Sequence, residues 1–281
     1  MNKRSARERI GIIAPYSRER DVLEVVEGYG LSVVQISCWD EALLTPDDAE
    51  ALRVSADRRG IRITSLWAGW PGPKVWDFVE GPTTLGIVPE TYRDARVAAL
   101  AKAGVFAGTA GIPAIVTHLG FIPENPSDPA YRGVVDAVCG LAVGYRERGL
   151  EFWFETGQET AVAMLRLIES VGTANLGVNL DPANLILYGK ANPSDALDVF
   201  GTYVRSVHAK DGFYPTDPMK LGREVKVGDG AVRFPKFVDK LEASGYRGAY
   251  IIEREIEGSE QEADIRATID YLSDLLEDGG V

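Results

Sequence analysis

Four successive apolar runs in the second half of the chain end in a side chain that can bind a divalent cation. Leu150-Glu151-Phe152-Trp153-Phe154 leads to Glu155, Leu176-Gly177-Val178-Asn179-Leu180 to Asp181, Arg205-Ser206-Val207 to His208, and Ala249-Tyr250-Ile251-Ile252 to Glu253. Each run is too short for a helix and reads as a buried strand. Side chains alternate along a strand, so the last inward position of each neighbouring strand can aim at a common centre. Three carboxylates and one imidazole suit Mn2+, Mg2+, Co2+ or Zn2+, and oxygen-rich donor sets favour the harder ions. A single carboxylate at a strand end is ordinarily solvated or caps the following helix. Agreement across four successive strand ends is what points to a metal centre.

Other polar and aromatic residues fall near the same ends. His118, the second of only two histidines, closes the run Val116-Thr117 and reads either as a structural histidine or as a substrate contact. Lys210, two residues past His208, suits a carboxylate, phosphate or enolate oxygen, or a structural ion pair with Asp211 or Glu253. Arg223, in the long stretch that follows, is a weaker candidate for the same task. Trp67 and Trp70 close the third apolar run and Trp39 follows the second. Such rings stack on the apolar faces of sugars or pack the rim of a site.

The elements that would position these residues alternate. Apolar runs near 10–15, 32–37, 61–67, 113–118, 150–155, 176–181, 204–209 and 249–254 are separated by helical patterns near 18–28, 46–58, 89–110, 128–147, 159–171, 193–201, 234–244 and 260–277. Alternation of this kind signals parallel strands joined by crossover helices. Eight such units predict an α/β protein with a closed (β/α)8 TIM barrel, one domain over residues 1–281 with 1–8 as a flexible extension. Helix-to-strand connections are short and glycine-marked, whereas those after the third strand (68–89) and the seventh (211–233) have the length of binding loops. The site is therefore expected at the C-terminal ends of the strands.

Composition narrows the partners. Thirty Lys and Arg against 42 Asp and Glu give a formal charge of −12, which repels a phosphate backbone and argues against nucleic acid. Cys38 and Cys139 form neither a metal spacing nor a disulfide framework, as in a reducing compartment. The basic N-terminal segment lacks a signal-like apolar core, and no run approaches the ~18 apolar residues of a membrane span. A cytoplasmic protein without membrane contact is expected.

The motifs Phe154-Glu155-Thr156-Gly157-Gln158, Asn179-Leu180-Asp181-Pro182-Ala183-Asn184, Val207-His208-Ala209-Lys210-Asp211, Val227-Gly228-Asp229-Gly230 and Ile252-Glu253-Arg254-Glu255 resemble those of the xylose isomerase-like, sugar phosphate isomerase/epimerase superfamily. That superfamily also includes ketose 3-epimerases, inosose dehydratases and the DNA repair nuclease endonuclease IV. The resemblance implies that Glu155, Asp181, His208 and Glu253 bind one divalent metal, with Mn2+ expected first and Mg2+, Co2+ and Zn2+ as alternatives. It also implies that Glu155 and Glu253 are the catalytic proton-transfer pair on opposite faces of a sugar. Gln158, Asn184, His118, Lys210, Trp67 and Arg223 are the expected substrate contacts. Asn184 stands where the ketose 3-epimerases place a substrate-binding histidine, and an amide cannot titrate near neutral pH.

The implied activity is isomerisation or epimerisation of a keto-sugar or related polyol through a metal-stabilised enediolate. The alternative is elimination by a dehydratase or lyase acting on a keto-sugar or keto-inositol. A non-catalytic sugar-binding barrel is a further reading. A repair nuclease is disfavoured, because a three-zinc cluster needs more than two histidines. The expected partner is a small carbohydrate, and assembly into a homo-oligomer is compatible with the resemblance.

Overall fold

The computed structural model describes residues 6–278. Eight parallel strands close into a barrel: β1 (Ile10–Pro15), β2 (Val33–Cys38), β3 (Arg62–Ala68), β4 (Ala114–Thr117), β5 (Glu151–Glu155), β6 (Leu176–Leu180), β7 (Val204–Ala209) and β10 (Ala249–Ile252). Strand β10 pairs with both β7 and β1, which closes the ring. Two further strands, β8 (Asp211–Phe213) and β9 (Arg223–Val225), form an antiparallel hairpin above β7. The expected (β/α)8 architecture is therefore the one observed.

The helices are α1 (Val22–Gly28), α2 (Pro46–Arg59), α3 (Gly81–Thr84), α4 (Glu90–Ala110), α5 (Pro129–Arg146), α6 (Ala161–Val171), α7 (Pro182–Leu187), α8 (Pro193–Phe200), α9 (Phe234–Ala243) and α10 (Ser259–Asp278). Local chemistry sets their ends. Thr45 caps α2 by accepting from the Asp48 amide, Pro46 follows at the first helical position, and Gly60 ends the helix at φ 66°, a left-handed conformation that costs glycine little. Helix α1 begins at Val22, later than the pattern near 18–28 suggests, because Asp21 accepts from the Leu23 amide and sets the start. The short α3, α7 and the β8–β9 hairpin are additions to the expected pattern.

Most of the core lies between the barrel wall and the surrounding helices, with Phe106, Phe152, Phe154, Leu167 and Phe237 nearly or fully buried there. A smaller cluster of Trp67, Trp70, Leu85, Ala114, Val116 and Trp153 is separate from it. Register shifts between Val34 and Gln35 in β2 and between Val178 and Asn179 in β6. At these irregularities two fully buried polar residues meet, the Gln35 amide nitrogen lying 3.4 Å from Asn179 Oδ1.

Residues 1–5 of the expected extension lie outside the described residues. Ala6–Arg9 forms a 3-10 turn, and Arg9 reaches Glu242 at 2.6 Å. No helix among the described residues is long and apolar enough to cross a membrane.

Candidate metal centre and substrate cavity

Strand β5 ends on Glu155, Asp181 follows β6, His208 is the penultimate residue of β7, and Glu253 follows β10. The barrel brings the four together, with one donor atom from each lying within 4.8 Å of the others. Nδ1 of His208 is 3.1 Å from Glu253 Oε2, 3.3 Å from Glu155 Oε1 and 3.8 Å from Asp181 Oδ2.

The other ring nitrogen, Nε2, lies 2.6 Å from Oε1 of Gln35. A carbonyl oxygen only accepts, so Nε2 carries a hydrogen and Nδ1 is the atom turned to the carboxylates. Gln35 is itself fixed by donating to Ser65 Oγ at 2.8 Å.

Asp181 divides its two oxygens. Oδ1 caps α7 by accepting from the Asn184 amide at 2.8 Å, while Oδ2 is buried with no hydrogen-bond partner. Oδ1 thus serves the helix cap, and Oδ2 is left to face the other three residues.

The charges call for a cation. Buried Glu155 and Asp181 and partly buried Glu253 face one ammonium, that of Lys210, which lies 3.2 Å from Glu253, 3.8 Å from Asp181 and 2.9 Å from the exposed Glu255. Burial opposes the charged form of His208, but Glu155, Glu253 and Asp181 together outweigh it and hold its pKa well above the ordinary histidine value. Burial pushes Asp181 up to about 6. The same burial acts on Glu253, yet Lys210 and His208 overcome it and bring that carboxyl down to about 2. A buried excess of negative charge, an orphaned carboxylate oxygen and an imidazole nitrogen held in the correct tautomer fit a divalent metal.

Around these four, Trp67 donates its indole N–H to Glu155 Oε2. Asn184 Nδ2 donates to Glu155 Oε1 at 3.3 Å, and His118 Nε2 lies 3.4 Å from the same oxygen. Nδ1 of His118 is 3.2 Å from the Glu155 backbone carbonyl, so that nitrogen carries a hydrogen.

A cavity of about 760 Å³ opens here, and Trp67, His118, Glu155, Gln158, Asn184 and Glu253 line it. Both polar atoms of the Gln158 amide and the Tyr188 hydroxyl are buried and make no hydrogen bond of good geometry, although the two side chains lie close to each other and both residues line the cavity. Unsatisfied polar groups at a cavity wall are ready partners for a ligand's hydroxyls.

Two expected contacts lie elsewhere. Lys210 is fully buried in its carboxylate cage, and Arg223 sits on β9 with its guanidinium 5.3 Å from the Phe213 ring centroid. Neither lines the cavity.

In each long loop one side chain gathers several backbone groups. Asp211 accepts four backbone N–H groups, from Gly212 at 2.8 Å and from Gly228, Gly230 and Val232 at 3.1 Å. A Cβ at Gly230 would fall 2.1 Å from Asp211 Oδ1, which explains the second glycine of Val227-Gly228-Asp229-Gly230. The hairpin so fixed presents Glu224, which binds Arg254 at 2.8 Å and the Glu255 amide at 3.1 Å and orders the segment after Glu253. In the other loop, fully buried Arg96 donates to the carbonyls of Pro71 at 3.2 Å, Pro73 at 2.7 Å and Gly86.

Reading the sequence missed Gln35, Tyr188, Trp76 and Glu255. Gln35 left a signal as a polar residue inside the apolar run Val33-Val34-Gln35-Ile36, and Glu255 stood in the motif Ile252-Glu253-Arg254-Glu255 without a role of its own.

The model of the xylose isomerase-like TIM barrel family matches residues 23–275. The chain belongs to this family. Among solved structures, a xylose isomerase domain protein from Planctomyces limnophilus is 35% identical with a TM-score of 0.90, over 95% of this chain and 96% of that one. A D-tagatose 3-epimerase-like protein is 19% identical, with a TM-score of 0.73 and coverage of 95% and 97%. A xylose isomerase-like TIM barrel protein from Mycobacterium smegmatis, solved in complex with magnesium, is 16% identical, with a TM-score of 0.72 and coverage of 99% and 100%. The last two likenesses show the fold alone. No curated protein matches the chain significantly.

Proposed function

We propose that this member of the family is a divalent-metal-dependent isomerase or epimerase of a keto-sugar or related polyol. One observation carries the reading: of the four clustered residues, only Glu155 and Glu253 line the cavity, while Asp181 and His208 are fully buried and do not. Glu155, Asp181, His208 and Glu253 would hold the ion, with Mn2+ the expected species. When bound, it supplies the positive charge that makes a carbon next to a carbonyl acidic enough to deprotonate.

The remaining chemistry belongs to the chain. Glu155 and Glu253 are the two bases that reach substrate, one removing the proton and the other returning it. Return to the same carbon from the opposite face inverts it, and return to the neighbouring carbon exchanges aldose and ketose. The Trp67 N–H and the Asn184 amide orient Glu155, and Lys210 keeps Glu253 ionised. Gln158, Tyr188 and His118 supply hydrogen-bonding groups for hydroxyls, and Trp67 excludes water beside the reacting carbon.

The test is incubation of the Mn2+-loaded protein with a panel of keto-sugars in deuterated water. The expected result is deuterium in recovered sugar of unchanged formula, falling by about 10²–10⁴-fold in Glu253→Gln. Loss of water from the sugar would replace this reading by elimination. Absence of exchange throughout the panel would leave a sugar-binding barrel.

A further inference from the structure

The cavity is larger than the proposed chemistry requires. At about 760 Å³ it falls within the ~300–1,000 Å³ that enclose drug-sized ligands, whereas proton transfer at Glu155 and Glu253 needs room for one sugar ring. The excess space has an aromatic wall that starts at the reacting end. Trp67, bonded to Glu155, has its ring centroid 4.9 Å from that of Trp39 and 5.9 Å from that of Trp70. Trp76 continues the wall, 6.2 Å from Trp70 and 5.2 Å from His118. The inner rings Trp67 and Trp70 are buried, but Trp39 and Trp76 remain 39% and 38% exposed.

These outer rings are held in place. A Cβ at Gly69 would fall 2.3 Å from the Trp39 ring, so only glycine lets that indole lie against the end of β3. Lys74 Nζ sits 4.6 Å from the Trp39 centroid, and Arg96 fastens the backbone between Trp70 and Trp76. Large apolar rings kept half in water and fixed beside a cavity form a stacking surface, since a second ring laid on them removes apolar area from water.

Charge selects what that second ring carries. Glu255 and Glu257 also line the cavity and are exposed. Arg254, which lines it too, is committed to Glu224 and Asp264, each at 2.8 Å. Lys74 is a lone cation set against two carboxylates, Glu257 and Glu255, the latter sharing the single Lys210 ammonium with Glu253 and Asp181. A phosphorylated sugar would meet net repulsion here, and a neutral one would not.

We propose that the substrate is an uncharged glycoside of a keto-sugar, the ring that carries the carbonyl at Glu155 and Glu253 and its second ring stacked on Trp76 beside Trp39. The proposal rests on the sugar-converting reading of the site, and binding measurements separate the two. The Mg2+-loaded protein is titrated, by tryptophan fluorescence, with matched methyl and phenyl hexopyranosides and with hexose 6-phosphates. Phenyl members are expected to bind about tenfold tighter than methyl members, the gain of one well-stacked ring. Trp76→Ala is expected to erase that difference and Trp76→Phe to keep most of it. Equal binding of phenyl and methyl members, a difference that survives in Trp76→Ala, or tightest binding by the 6-phosphates would overturn the proposal. Aromatic preference without deuterium exchange on any sugar would sink the catalytic reading and leave the second-ring site standing. Exchange on free keto-sugars with no aromatic preference would do the reverse.

Discussion

The hydrogen bond from His208 Nε2 to Oε1 of Gln35, 2.6 Å long, decides which nitrogen of the ring faces Glu155, Asp181 and Glu253. A glutamine on the far side of the barrel therefore sets the donor atom of the candidate metal centre. Gln35→Met keeps the volume and removes the acceptor. It is expected to weaken Mn2+ binding by about 10–100-fold, read by isothermal titration calorimetry. Unchanged affinity would mean that the carboxylates alone orient the ring.

Metal removal is a second test. The cluster exists only in the folded chain, so an ion bound there stabilises it by mass action, by about 2.7 kcal/mol at a hundred times the dissociation constant. The melting temperature is expected to rise with added Mn2+ and to fall on addition of a chelator. His208→Ala is expected to abolish most of that response. A melting temperature indifferent to both Mn2+ and chelator would count against the centre.

Glu159 gives a prediction in pH. It is 1% exposed, one of its oxygens has no partner, and burial pushes its pKa from 4.5 to about 7. A carboxyl whose folded pKa is raised favours the folded state in its acid form. Its penalty is fully present above the folded pKa and disappears below the unfolded one. Glu159→Gln is therefore expected to stabilise the protein by about 3 kcal/mol above about pH 8 and by nothing below about pH 4. Denaturant melts across that interval decide it, and an effect independent of pH would show that Glu159 does not titrate there.

Much of this was legible in the chain, for identifiable reasons. Buried parallel strands are continuous apolar runs, so all eight barrel strands stand out. Glu155, Asp181, His208 and Glu253 stand out with them because each closes such a run, and barrel closure alone makes those ends converge. The β8–β9 hairpin was illegible, because its order comes from one carboxylate reaching backbone amides up to 21 positions away. Tyr188 and Trp76 were hidden for a related reason: the loop paths that bring them to the cavity have no periodicity. Lys210 was ambiguous between substrate contact and ion pair because only the folded rim shows Glu255 at 2.9 Å.

The hairpin's dependence on Asp211 can be measured directly. Asp211→Ala is expected to remove hydrogen-exchange protection from the amides of Gly228, Gly230 and Val232, with little change in the barrel strands. Asp211→Asn keeps one accepting oxygen and is expected to retain part of the protection. Loss of protection spread evenly over β1 to β7 would show that the carboxylate supports the barrel as a whole.

Arg96 binds three carbonyl oxygens and no carboxylate, and the one loop side chain its guanidinium lies over is the inner ring of Trp70, 5.6 Å away, so its grip on the loop follows the main chain and that ring and not the side chains of Lys74 and Trp76. Substitutions at positions 74 and 76 therefore leave the fastening untouched. Within one scaffold the aromatic wall can be rewritten, and with it the choice of ligand, while the loop continues to arrive at the same place.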